Sequence, residues 1–305
     1  MVIRSLVLLA LISTVALAQP DEWHRLWTPN GAELPTPVKV SVRGIGDLGP
    51  ELESTEWLMV PTKYHQIHYQ ASVDPKTLAE VFQLIDNVYD FLTQRSPANA
   101  KRPIRVFLVP GERGRSRSSP QAVAMRTGAD ADAVFIVSSL MHEETHLFNF
   151  ALLGGSAQGW WTGEFTCQYH QERARLTNQS ADVKRELARR LPNGPVGSLS
   201  SLDSLAQASF DSAISAMYFL EETYGSARMI EFRRQSLFSS KATNGRALPA
   251  LLFRQVFGKD ADVLDREWRQ FYGWGGAGRS DVGRRRFYGF ADLRRMLAPS
   301  TTNVP

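Results

Sequence analysis

Cysteine is almost absent from this chain of 305 residues, and the single Cys167 excludes any intrachain disulfide. Stability must then come from an apolar core, for which 43% hydrophobic residues suffice, and from any metal the chain holds. A large excess of one charge is also missing. The formal net charge of +4 is too small to argue for a nucleic-acid partner. No repeat of the length expected for solenoids or propellers runs along the chain. A hydrophobic run long enough to span a bilayer is lacking too: the apolar stretch from Leu6 to Ile12, continuing to Val15, falls short of the roughly 20 residues required. With Arg4 before it and Ala16-Leu17-Ala18 after it, this stretch reads as a signal peptide, residues 1–18, cleaved before Gln19. The expectation is export to the periplasm or beyond, with no stable membrane anchor. Histidine is scarce, with six in the whole chain, so a close pair carries weight.

Residues 19–62 carry Pro, Gly and Trp without sustained periodicity and read as an irregular arm. Tyr64 to Ala71 then reads as a strand, and Asp74-Pro75 offers an N-cap with proline at the first helical position. Leu78, Val81, Phe82, Ile85, Tyr89 and Leu92 share one helical face, which predicts a helix over 75–95. Ile104–Val109 and Ala133–Val137 are short apolar, β-branched runs and read as two further strands. The polar stretch Gly111–Gln121 between them, with Arg113, Arg115 and Arg117, reads as a solvated loop. Beyond residue 139 helical patterns dominate. The expected organisation is an α/β lobe over 63–153, a helical lobe over 154–272 and a Gly/Arg-rich tail over 273–305.

His142-Glu143-Glu144-Thr145-His146 is an HExxH sequence inside an apolar-periodic segment containing Leu140, Met141, Leu147 and Phe148. On a helix the i, i+4 spacing stacks both imidazoles on one face, so both can bind one ion about 2.0–2.1 Å away. Glu143 sits about 100° further round from His142, within reach of water at such an ion, which is a general base's place. A catalytic zinc needs a third protein ligand and one open position. Glu164, in Trp160-Trp161-Thr162-Gly163-Glu164, follows His146 at a distance that lets a second helix fold back on the first, and it suits that role.

At these residues the chain resembles the gluzincin metallopeptidases, in particular the bacterial peptidase MA-like group, whose pattern is HExxH followed by a WxxEGxAxY-like stretch. Trp161, Glu164 and Tyr169 occupy the W, E and Y positions, while Phe165 stands where the family usually has glycine and Cys167 replaces the usual alanine. The resemblance covers roughly residues 60–272. It implies an α+β fold: a zincin-like mixed α/β lobe ending in the zinc-binding helix, then a mostly helical lobe carrying the third ligand. It also implies one Zn2+ per chain on His142, His146 and Glu164, and a peptide or protein as substrate. Tyr218 is a candidate for the donor that gluzincins commonly bring from the helical lobe to the oxyanion.

In this reading the metal polarises a carbonyl and acidifies water, Glu143 takes the proton and then passes it to the leaving amine. The run Ala133–Val137 would be the edge on which an extended peptide pairs. Ala124-Met125-Arg126-Thr127 does not match the GxMEN-like stretch expected of an aminopeptidase of this clan, which favours an endopeptidase.

The remaining polar residues draw plainer readings. Glu144 is assigned a solvated or outer role and no catalytic one. His24, His65 and His68 have no acidic partner close in sequence and read as ordinary polar or core residues. The spacing of His170 turns it away from Glu164, and Cys167 reads as a small buried hydrophobe. Two rival functions stay open. One is a zinc-binding scaffold without hydrolysis, its open position blocked by Phe165; the other is a basic secreted binding protein using the arginines of the 111–121 loop and the tail.

Overall fold

A computed structural model describes residues 36–40, 52, 56–111, 116–127, 131–153, 163–175, 180–202, 210–242, 251–274 and 297. The signal-peptide reading, most of the arm, Trp160 and Trp161, Arg113 and Arg115, and nearly all of the tail lie outside them. Among the described residues are six strands and eight helices. The strands are β1 (Thr36–Val38), β2 (Trp57–Pro61), β3 (His65–Tyr69), β4 (Ile104–Pro110), β5 (Arg117–Ser119) and β6 (Ala122–Thr127). The helices are α1 (Pro75–Thr93), α2 (Ala133–Leu153), α3 (Glu164–Arg175), α4 (Ser180–Arg190), α5 (Phe210–Tyr224), α6 (Ser226–Ala242), α7 (Leu251–Phe257) and α8 (Ala261–Tyr272).

The chain is an α+β protein built as a mixed sheet with helices, followed by a helical lobe. The sheet order is β1-β2-β3-β4-β6-β5. β3, β4 and β6 run parallel, and the outer pairings are antiparallel. Two parallel neighbours need a crossover, and α1 supplies it between β3 and β4. Its start follows from sequence: the Asp74 carboxylate accepts the Thr77 N–H at 2.8 Å and proline occupies the first turn. The predicted apolar stripe of α1 is buried in one cluster with the inward residues of the sheet and of α2.

β4 is buried on both faces. Ile104, Val106 and Leu108 point into the cluster shared with α1 and α2, while Phe107 and Val109 point into a second one with Trp57 and Leu52. That alternation is the period of two that a central strand demands. A third cluster, around Tyr218, Phe232, Phe253, Leu264 and Trp268, forms the core of the helical lobe.

One assignment is overturned. Ala133–Val137 is not a strand but the opening of α2. Asp132 starts the helix, its carboxylate accepting the Phe135 N–H at 2.7 Å while its carbonyl accepts the Ile136 N–H at 3.1 Å. A short run of branched apolar residues reads alike for a strand and for a buried helix. The longer pattern decides: Ala133, Ile136, Val137, Leu140 and Met141 all enter the same core cluster, at helical spacing. The expected peptide-binding edge at 133–137 therefore does not exist. The outer strand on that side is β5, within the stretch that reads as a loop, and it pairs with β6 and packs against α2.

Asp132→Ala removes this cap and should lower the unfolding free energy by about 1 kcal/mol, with Asp132→Asn near neutral. Denaturant melts of the three proteins check it; an unchanged midpoint for Asp132→Ala would show that the cap does not start the helix.

Candidate metal centre

α2 places His142 and His146 one turn apart, with ring centroids separated by 5.1 Å. α3 packs closely along α2 and begins at Glu164. From there the Glu164 carboxylate spans the two rings, one oxygen 3.6 Å from His142 Nε2 and the other 3.5 Å from His146 Nε2. A tetrahedral ion with bonds of about 2.0–2.1 Å would hold its donors roughly 3.3–3.4 Å apart. The observed separations fit that requirement within a few tenths of an ångström. All three residues keep some solvent access, Glu164 the most, so the cluster opens outward.

Burial opposes a charge on His146, but the Cys167 sulfur and the Glu164 carboxylate outweigh it and push the imidazole up to about 11. The hydrogen bond from His146 holds the Glu164 carboxyl below its usual range, against desolvation. His146 and Glu164 thus form an ion pair in the metal-free chain, and a metal must displace its proton to enter.

Glu143 lies beside this cluster and is buried. Burial pushes its carboxyl upward, countered by His146 and by a side-chain hydrogen bond with Ser118 of β5. A carboxylate of raised basicity next to the open face of the donors is suited to accept a proton.

Glu144 faces the opposite way and is neither solvated nor idle. It is fully buried, with Oε1 2.8 Å from His65 Nε2, while His65 Nδ1 lies 2.9 Å from Asp86 Oδ1. Asp86 also accepts the Thr62 hydroxyl and the backbone N–H groups of Lys63 and Tyr64. Each of the two ring contacts requires one proton. Desolvation opposes charge on His65, yet Glu144 and Asp86 together push it up to about 9. Burial raises Glu144, while His65, Thr62 and Lys63 outweigh desolvation to hold Asp86 low. His65 is therefore a buried tie between β3, α1 and α2, which its sequence neighbourhood did not reveal. The available signal was Asp86 itself, a carboxylate at i+4 from Phe82 and i−3 from Tyr89 on the apolar stripe of α1.

α3 is fixed by further buried contacts. The Thr145 hydroxyl donates to the Met141 carbonyl at 2.6 Å, so the 2.9 Å contact with His170 Nδ1 has the imidazole as donor. Burial, reinforced by Arg233, Arg95 and Arg173, drives the His170 pKa well down, and the ring is neutral. Tyr169 turns toward the helical lobe, its hydroxyl donating to Glu221, which also accepts from Arg173 and Ser226. Phe165 is fully buried in the helical-lobe core, edge-on to Phe210 at 5.6 Å, and does not fill the open face. Tyr218 lies in the same core, 2% exposed and 6.2 Å from the Phe271 ring. His68 stacks on Phe107, and desolvation lowers it to about 4.

Cys167 is buried as expected, but its surroundings are not apolar alone. Its sulfur and one ring nitrogen from each of His142 and His146 all lie within 4.8 Å of one another.

No protein-family model and no curated protein matches this chain. Among solved structures it is similar to a mutant of the M1 zinc metallopeptidase from Deinococcus radiodurans, at 13% identity and a TM-score of 0.45, covering 74% of this chain and 53% of that one. The chain thus spans about half the length of that protein.

Removing one member of the His65 tie leaves a buried charge or acceptor unpaired, so His65→Ala should cost about 3–5 kcal/mol. Glu144→Gln can donate to His65 Nε2 and should cost far less. Because the folded pKa of His65 is raised, its stabilisation is complete below about 6.5 and fades as pH climbs through about 9. Chemical denaturation of wild type and both variants between pH 6 and 10 checks this; a His65→Ala loss that stays constant across that range would contradict it.

Proposed function

We propose that the chain is a zinc-dependent hydrolase that cleaves peptide bonds, probing extended segments as an endopeptidase. The observation that carries this reading is the convergence of His142, His146 and Glu164 at ligand spacing, with Glu143 buried beside them. One zinc per chain is held by those three residues. When bound, the ion supplies a Lewis acid that polarises the scissile carbonyl and acidifies a water.

This chain's own residues do the rest. Glu143 accepts the proton of the attacking water and delivers it to the leaving amine, so no covalent intermediate is required. Burial raises the basicity of this carboxylate, which suits the first step. Ser118 holds that carboxylate from β5. β5 lies at the outer end of the sheet order and packs against α2, so an extended peptide adding to it runs past the donor cluster. Recognition through backbone hydrogen bonds is largely independent of side chains and fits an endopeptidase. Export belongs to the same proposal and rests on residues 1–18; no helix among the described residues is long and apolar enough to cross a membrane.

Elemental analysis of the purified protein should give about one zinc per chain, with chelator-sensitive cleavage of an unfolded protein. Glu143→Gln should keep the metal and lose about 10²–10⁴ in turnover. Glu164→Ala should weaken zinc binding by at least about 100-fold, the upper end for loss of even an outer partner. Zinc without cleavage would turn the reading to a metal-stabilised scaffold, and a zinc-free protein would sink it.

A further inference from the structure

We propose that Cys167 is itself a metal ligand, its thiolate joining His142, His146 and Glu164 around the ion. The proposal rests on the metal reading above and deepens it. Its basis is geometric: α3 presents Glu164 and Cys167 three residues apart, about 60° from each other round the helix, so both can address α2. Glu164 does so through both ring Nε2 atoms. Cys167 does so through its sulfur, which is fully buried and within 4.8 Å of a ring nitrogen of each histidine.

A zinc–sulfur bond of about 2.3 Å beside zinc–nitrogen bonds of about 2.0–2.1 Å places sulfur and nitrogen roughly 3.5 Å apart. The present separations therefore need to close by no more than about 1.3 Å, which rotation of a small side chain and two imidazoles can supply.

The surroundings suit a thiolate. A buried thiol without an ion resists ionisation, and coordination removes its proton outright. The buried guanidinium of Arg233, anchored to the Arg95 carbonyl and to Asn149 of α2, acts on the sulfur with its positive charge. A side-chain hydrogen bond joins the sulfur to His146. Soft thiolate ligands favour zinc over the hard divalent ions. A fourth protein donor occupies the position that a water needs, so the resting centre is latent and Cys167 must leave the ion before a water can be activated there.

Cobalt(II) replaces zinc as a spectroscopic probe. The wild-type cobalt protein should show a sulfur-to-cobalt charge-transfer absorption in the near ultraviolet, together with visible bands of tetrahedral intensity. Cys167→Ser and Cys167→Ala should lose the charge-transfer absorption, keep the visible bands, and bind zinc more weakly by over about tenfold. Visible bands without charge transfer in the wild type would overturn thiolate ligation and leave the metal site standing. Failure to bind cobalt or zinc at all would overturn both. The wild-type spectrum decides even if a variant does not fold.

Discussion

The fold around the candidate metal centre depends on one buried imidazole. His65 of β3 stands between Asp86 of α1 and Glu144 of α2, and so joins the three elements that carry the α/β lobe. Apolar packing between a sheet and two helices tolerates small slides, because one branched side chain replaces another at little cost. A charged network does not, since a slip of α2 by one residue swings Glu144 about 100° and strands buried charge. Glu144 sits two positions from each of His142 and His146, about 200° round the helix. Pinning it inward therefore aims His142 and His146 outward, toward α3.

α3 is held to that face by a second set of polar contacts. Thr145, the fourth residue of the motif, accepts from His170 of α3, and Arg233 of α6 separately reaches Asn149 near the end of α2. On its far side α3 is tied to α5 through Tyr169 and Arg173 on Glu221. Glu164 is thus positioned by the helical lobe and the histidines by the α/β lobe. Neither lobe holds the full donor set, so the centre exists only where the two helices meet.

Much of this was legible in the residues. HExxH at helical spacing, the Asp74-Pro75 start of α1, and the glutamate opening the next helix each rest on local stereochemistry, which a linear pattern records. What escaped were contacts distant in sequence. His65 lies far from Glu144 along the chain and gave no sign of its partner, and Ser118 sat in a stretch that read as a loop. The strand reading of Ala133–Val137 failed for another reason: its β-branched residues favour a strand locally, whereas the Asp132 cap and the continuing i, i+3, i+4 spacing build a helix. Propensity is the weaker signal when an element is wholly buried.

The two departures from the gluzincin-like pattern, Phe165 and Cys167, look alike as enlargements of small residues, yet the helix sends them to different places. Phe165 is about 100° from Glu164 and sinks into the helical-lobe core against Phe210. Cys167 returns to within about 60° of Glu164 and faces the histidines. One substitution strengthens the docking of α3 by burying an aromatic ring without touching the open face. The other brings a buried sulfur within 4.8 Å of a ring nitrogen of each histidine, and on the proposed reading that sulfur packs in the metal-free chain and ligates in the loaded one. With no intrachain disulfide possible, a metal held as proposed at this helix–helix junction would couple the two lobes, each added donor more tightly.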